Sequence, residues 1–174
     1  LTASVTPTTG TNNNGFWEID IPFNVNYISQ NYNKVYLGTN SYLTFGNGST
    51  NSTNISSTNP GFPKIMVGAA DRSAQRVWYG STGTVGDRVF RLVYEGTSTT
   101  SGSLGSPTVR YEYQFKEANP SQIDLIVEQN ANTTTTTSAF SSAQLQGFGF
   151  ISGQRIPVRV NALDSDLEDL EDKL

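Results

Sequence analysis

Three aromatic residues could do binding chemistry, namely Trp17, Trp78 and Tyr79. Their flat apolar rings could stack on the apolar face of a sugar. Each lies in a run that is predicted to form a strand, so we favour the interpretation that they fill a core. Trp78 and Tyr79 are adjacent, and neighbouring side chains on a strand point to opposite faces. At least one of these two residues could therefore be exposed.

Four acidic residues are the candidates for catalysis, namely Glu95, Glu112, Asp124 and Glu128. A glycoside hydrolase needs two carboxyl groups about 5–10 Å apart in a cleft. Glu112 and Asp124 alternate with apolar residues in two neighbouring predicted strands, and this alternation is typical of the solvent face of a sheet. A solvated face explains these residues without catalysis.

Metal binding and nucleophilic catalysis have weaker support. Asp20, Asp71, Asp87 and Asp124 lie at predicted strand ends or turns, where carboxylates and carbonyls could bind Ca²⁺. No acidic loop of defined spacing joins them, so we favour solvated turn residues and expect no cofactor. The chain has no His and no Cys, which excludes a Ser–His–Asp triad and thiolate chemistry. We therefore expect a protein that is not an enzyme.

Composition narrows the class of partner. The 174 residues suffice for one domain with a sizeable core. Charged residues make up 15%, and Thr, Ser, Asn and Gly carry the polar balance, which is typical of strands and turns. The net charge of −4, without a basic cluster, argues against a nucleic-acid surface. No apolar run is long enough to predict a membrane span. Because the chain begins with Leu1 and not Met, we expect processing or a longer parent polypeptide.

Alternating runs predict the strands. Val35–Leu37 and Tyr42–Phe45 flank a Gly-Thr-Asn-Ser turn and predict a hairpin. Thr108–Lys116 alternates apolar with charged or polar residues, which predicts one packed and one wet face. Further runs lie at 15–28, 65–67, 76–79, 88–95, 123–128, 147–151 and 156–160. Many short strands with almost no helix predict an all-β fold, an antiparallel β-sandwich of jelly-roll or immunoglobulin-like type.

The two ends of the chain differ from this pattern. Residues 1–14 read as a linker or an irregular first strand, and residues 15–160 as the sandwich. Residues 161–174 predict a short acidic amphipathic helix, because its leucines recur at helical spacing. This stripe could dock on the sandwich or fray, or it could begin a coiled coil that joins identical subunits. The stripe consists of Leu163, Leu167, Leu170 and Leu174.

The order of the strands carries a family resemblance. It rests on the runs FNVNYISQNYNKVYLGTNSYLTFGNG, PKIMVGAADRSAQRVWYG, DRVFRLVYEG, VRYEYQFKEANPSQIDLIVEQN and GFGFISG. Together they resemble a nidogen-like β-sandwich module of bacterial surface proteins and of virion structural proteins of tailed phages, particularly phages that infect cyanobacteria. The resemblance covers roughly Gly15–Gly153 and leaves the acidic tail outside.

The resemblance implies a component of a virion or surface appendage. We expect a module of a tailed-phage virion that mediates assembly or host-surface attachment, with other virion proteins or itself as partners. The alternative is a carbohydrate-binding or adhesin module of a bacterial surface protein, extracellular or at the cell surface, with a cell-surface glycan as ligand. The virion module would act by presenting long polar loops on a rigid sandwich, at Gly48–Gly61, Gly96–Pro107 and Asn130–Ser142.

Overall fold

A computed structural model describes residues 1–52, 61–66, 71–97, 107–130, 137–141, 148–149 and 155–159. These residues form two antiparallel sheets and contain no helix. The six-stranded sheet has the order β1 (Thr2–Ser4), β7 (Ala74–Thr82), β8 (Val89–Gly96), β9 (Val109–Lys116), β10 (Asn119–Asn130) and β13 (Arg155–Arg159). The seven-stranded sheet has the order β12 (Phe148–Gly149), β11 (Thr137–Ser141), β6 (Lys64–Met66), β5 (Tyr42–Phe45), β4 (Gln30–Gly38), β3 (Gly15–Tyr27) and β2 (Thr9–Gly10).

The two sheets pack face to face around one core, which confirms the predicted all-β antiparallel sandwich. In β3 every second residue from Trp17 to Tyr27 is buried, and in β9 every second residue from Val109 to Phe115 is buried. Period two thus places the apolar side chains of each strand on one face, as the sequence predicts. The predicted central hairpin is also present, because Val35 pairs with Phe45 across β4 and β5.

The N-terminal segment joins both sheets, because β1 pairs with β7 and β2 pairs with β3. The indole Nε1 of Trp17 donates to the hydroxyl of Ser4 at 3.0 Å. The side chain of Asn12 donates to the carbonyl oxygens of Val5 and Ala74, at 2.9 and 3.1 Å. Residues 1–14, predicted as a linker or an irregular first strand, therefore contribute one short strand to each layer.

The turn between β3 and β4 contains only two residues. Ile28 and Ser29 alone make the turn, with φ values of 49° and 61°. Two successive positive φ values match the twist of the flanking strands, which is why tight hairpins adopt them, but Asn and Gly are the usual residues there. A β-branched Ile in this conformation carries backbone strain. The side chain of Ile28 packs against the core and offsets part of that cost.

Part of one predicted loop forms a strand. Residues 137–141, within the loop predicted over Asn130–Ser142, form β11, which pairs with β6 and β12. Thr and Phe are good strand formers, and this explains why a Thr-rich run joins the sheet.

Residues 46–52, at the start of the predicted loop Gly48–Gly61, fold over the outer face of the seven-stranded sheet. The hydroxyl of Tyr42 donates to the carbonyl of Asn51 at 2.8 Å, and the hydroxyl of Thr44 donates to the carbonyl of Asn47 at 2.6 Å. Gly48 lies so close to the ring of Phe16 that a Cβ atom there would approach it to 2.5 Å. This part of the loop is therefore packed on the sheet.

The predicted acidic helix, with Leu163, Leu167, Leu170 and Leu174, lies outside the described residues. In the part of the chain that is described, no helix has the length and apolarity needed to cross a membrane.

Candidate functional surface

The outward side chains of β7–β10 form one continuous surface on the six-stranded sheet, here named the charged face. Alternation forces this arrangement, because the residues between them on the same strands fill the core. The charged face consists of Arg76, Trp78, Arg91, Val93, Glu95, Arg110, Glu112, Gln114, Lys116, Asp124 and Glu128.

Strand register places opposite charges side by side. Arg76 on β7 lies opposite Glu95 on β8, and Glu95 lies opposite Arg110 on β9. Both arginines bind the carboxylate of Glu95, and Arg110 also binds Glu128 on β10. One chain of ion pairs therefore crosses four neighbouring strands.

Two further pairs complete the charged face. Arg91 binds Glu112 through Nε, and Lys116 binds Asp124 at 2.9 Å. The face thus holds four cations and four carboxylates, each with a partner of opposite sign. Positive and negative side chains are therefore equal in number on these four strands.

The expectation of a solvated face for Glu112 and Asp124 is wrong. The exposed fractions of these two residues are 2% and 3%, and that of Glu95 is 3%. Arginines pair with Glu95 and Glu112, and Lys116 pairs with Asp124, while the side chains of these cations stay about one-third exposed. Arginine and lysine cover a surface with their long stems while they pair with a carboxylate, so the same contact helps to bury and neutralise each acid.

The pKa of Glu112 reflects this balance. Burial alone would raise the pKa of its carboxyl group, but hydrogen bonds from Arg91 and Gln114 outweigh burial and hold it below the ordinary value of 4.5. The hydrogen bond to Glu112 in turn raises the pKa of Arg91. A general acid of a glycosidase needs a raised pKa, so Glu112 has the opposite tuning.

The structure separates the three aromatic candidates. Trp17 is buried in the core on β3, with an exposed fraction of 3%. Tyr79 lies on the inner face of β7 and packs against the same core. Trp78 alone lies on the charged face, and it is partly buried. The three residues therefore cannot form one sugar-stacking platform.

Trp78 has a polar neighbour and an unsatisfied donor. The guanidinium carbon of Arg76 lies 5.4 Å from the centroid of the indole ring, a cation–π geometry. The indole Nε1 is buried, and no described residue accepts its hydrogen bond. Arg76 bonds Glu95 through Nε, and in the described residues its two amino groups have no hydrogen-bond partner. Trp78 and Arg76 together offer one aromatic ring and two amino groups that are free to donate hydrogen bonds.

The acidic residues considered for Ca²⁺ do not meet. Asp124 pairs with Lys116, and Asp20 lies 3.6 Å from Lys34 on the other sheet. Within the described residues, no three acidic side chains converge on a point that could hold a metal ion.

Sequence reasoning missed the arginines of the charged face. In the sequence alone, nothing distinguishes Arg76, Arg91 and Arg110 from other polar residues of a strand. Their ability to form ion pairs depends on which residue lies opposite on the next strand. Cross-strand neighbours are about 5 Å apart, but their separation in sequence is set by loops of variable length. The alternation of charged with apolar residues in three successive strands indicates an outer charged face. Only the strand register shows which charges lie opposite one another and form a network.

Comparison with known proteins gives one family match. A family model described as NIDO related matches residues 1–154 of the 174-residue chain. No curated protein and no solved structure matches the sequence. The matched region includes the N-terminal strands and all of β3–β12. Because the match spans far more than half of its length, the chain belongs to the nidogen-related family.

Proposed function

We propose that the chain is a non-enzymatic assembly and attachment module of a tailed-phage virion or a comparable surface appendage. Its membership of a nidogen-related family is compatible with an extracellular or adhesion-type module. The virion is the specific location we propose, on the resemblance of its strand runs to virion structural proteins.

The ion-pair chain across β7–β10 is the observation that best supports a structural role. Arg76, Glu95, Arg110 and Glu128 link four adjacent strands side by side on one face. Networks of this kind are worth more than isolated surface pairs, because Glu95 and Arg110 each serve two partners. They also occupy the carboxylates that a hydrolase would use. We therefore expect the sandwich to be a rigid scaffold that presents its loops.

Self-association is the property that tests assembly most directly. We expect the full chain to form oligomers in solution, measured by light scattering. Replacing Leu167 and Leu170 together by Ala should shift the mass towards that of a monomer. The control replaces Glu168 and Asp169 by Ala, which leaves the apolar stripe intact. A monomer at every concentration, in the wild type and both variants, would count against an assembly role for the tail.

A carbohydrate-binding or adhesin function of a bacterial surface protein is the second candidate, and Trp78 is the observation that favours it. The ring could pack on a sugar, and the free amino groups of Arg76 could donate to its hydroxyl groups. A glycan array tests this directly. Specific binding that is lost in Trp78→Ala and kept in Tyr36→Ala would support it, because Tyr36 is an aromatic residue on the outer face of the other sheet. No binding to any glycan would remove this candidate.

A further inference from the structure

The chain contains two Asn-Gly pairs, Asn14–Gly15 and Asn47–Gly48, in very different surroundings. We infer that Asn47 is a site of spontaneous deamidation in the folded protein and that Asn14 is protected. Glycine has no Cβ, so its backbone nitrogen can approach the preceding side chain closely. Whether it does so depends on what holds that nitrogen in the fold.

The geometry at Asn47 favours the reaction. The backbone nitrogen of Gly48 lies 2.9 Å from Oδ1 of Asn47 and donates a hydrogen bond to it, so nitrogen and carboxamide are already adjacent. The hydroxyl of Thr44 donates to the backbone carbonyl of Asn47 at 2.6 Å. This bond withdraws electron density from the Asn47–Gly48 peptide and makes its N–H group more acidic. The side chain of Asn47 is exposed, so water and base can reach it.

The reaction balances with solvent alone. Base removes the proton from the nitrogen of Gly48, which attacks Cγ of Asn47 and forms a new N–Cγ bond. The bond from Cγ to the side-chain nitrogen breaks, and that nitrogen leaves as ammonia after it takes a proton. Water then opens the resulting succinimide ring at either carbonyl, which gives aspartate or isoaspartate at position 47.

Asn14 and Gly15 form the matched comparison. The nitrogen of Gly15 donates to the hydroxyl of Thr39 at 3.0 Å in a buried bond, and the nitrogen of Thr39 donates back to the carbonyl of Gly15 at 2.9 Å. Gly15 is buried and pairs with Gly10 at the start of β3. Its nitrogen can reach the side chain of Asn14 only after these bonds open, and local opening costs free energy.

Deamidation at Asn47 would change the surface around it. Aspartate adds a negative charge, and isoaspartate lengthens the backbone by one carbon. Gly48 is packed against the ring of Phe16, and that ring makes an edge-to-face contact with Tyr36 at 5.8 Å. A lengthened backbone cannot keep both this packing and the Thr44 bond. The loop is therefore expected to lift and expose the two rings.

The experiment incubates the full chain at mildly alkaline pH and follows each Asn-Gly site by peptide mapping with mass spectrometry. Asn14 and Asn47 fall in different tryptic peptides, because Lys34 separates them. In the folded protein we expect Asn47 to convert at least about tenfold faster than Asn14. In concentrated urea the two rates should become similar, because the local sequence chemistry is then the same.

Two variants separate the causes. Thr44→Val removes the hydroxyl that polarises the peptide and should slow conversion at Asn47 without changing the rate at Asn14. Thr39→Val removes the partner of the Gly15 nitrogen and should speed conversion at Asn14. Equal rates at the two sites in the folded wild type, or faster conversion at Asn14, would overturn the inference. Unfolding of either variant is detected by circular dichroism, and the wild-type comparison in buffer and urea does not depend on them.

Discussion

Arg88 and Glu117 are joined by two parallel hydrogen bonds, from Nε to Oε2 at 2.8 Å and from Nη2 to Oε1 at 2.7 Å. Glu117 also accepts the backbone N–H groups of Gly86 and Arg88. One carboxylate thereby fastens the β7–β8 turn to the β9–β10 turn. The same Nη2 of Arg88 also donates to the carbonyl of Pro22 in the opposite sheet, at 3.0 Å. The pair therefore joins two hairpins and both layers at one end of the sandwich.

Acid should weaken this contact. The hydrogen bond from Arg88, helped by the two backbone N–H groups, lowers the pKa of Glu117 to about 2, from an ordinary value of 4.5. A lowered folded-state pKa contributes stability that is present above 4.5 and lost as the pH falls towards 2. Glu117→Gln should therefore be less stable than wild type at neutral pH, and the difference should vanish near pH 2.

Urea unfolding at a series of pH values measures that difference. The control is Asp87→Asn, since the Asp87 side chain is exposed and makes no hydrogen bond or ion pair with any described residue. This control should track the wild type. A constant difference between wild type and Glu117→Gln at all pH values would contradict the assignment.

Two stacked tyrosines of the core should respond differently to loss of their hydroxyl groups. Tyr94 and Tyr111 face each other at 6.4 Å between ring centroids, and both are buried. Tyr94 donates to the carbonyl of Thr39 at 2.6 Å, whereas no described residue bonds the hydroxyl of Tyr111. Tyr94→Phe should cost about 1–2 kcal/mol of unfolding free energy. Tyr111→Phe should be neutral within about 0.5 kcal/mol or stabilising, because it removes an unsatisfied buried group. Equal losses in urea unfolding would show that the Thr39 bond contributes nothing specific.

Mutation of Arg91 and mutation of Glu112, which form an ion pair on the charged face, should lower the unfolding free energy by different amounts. The side chain of Arg91 is 37% exposed and that of Glu112 only 2%. Arg91→Met strands a buried carboxylate and should cost about 2 kcal/mol, a value reduced from that of a fully buried pair because solvent reaches the arginine. Glu112→Leu leaves an arginine that can turn to water and should cost less.

A double-mutant cycle at two pH values measures this asymmetry. The double variant should recover stability relative to Arg91→Met, because no charge is left buried. Hydrogen bonding holds the pKa of Glu112 below its ordinary value of 4.5, so the contribution of the pair is present above that pH and is lost as the pH falls below it. A larger loss in Glu112→Leu than in Arg91→Met would contradict the argument.

The sequence is sufficient to predict those structural features that depend on neighbouring residues along the chain. The alternation from Trp17 to Tyr27 predicts which side chains face the core, because period two is a local property of a strand. It could not predict that Glu112 is buried on the outer face, since that follows from Arg91 on another strand. Nor could it predict that Trp17 and Trp78 belong to different sheets, which keeps them from forming one sugar platform. Which strands become neighbours, and in which sheet they lie, are tertiary properties that the pattern within one strand does not determine.

The Ile28–Ser29 turn supplies the last prediction. Both residues have positive φ values, of 49° and 61°, and glycine adopts this region without the steric cost that a Cβ atom imposes. Ser29→Gly should therefore raise the unfolding free energy by up to about 1 kcal/mol, while Ser29→Ala should not. The Ala variant is the matched control, because it also removes the hydroxyl group but keeps the Cβ atom. Urea unfolding of the three proteins measures the effect. If the Gly variant is no more stable than the Ala variant, the Cβ atom at position 29 has no steric cost in this turn, and the strain assigned to Ser29 is absent.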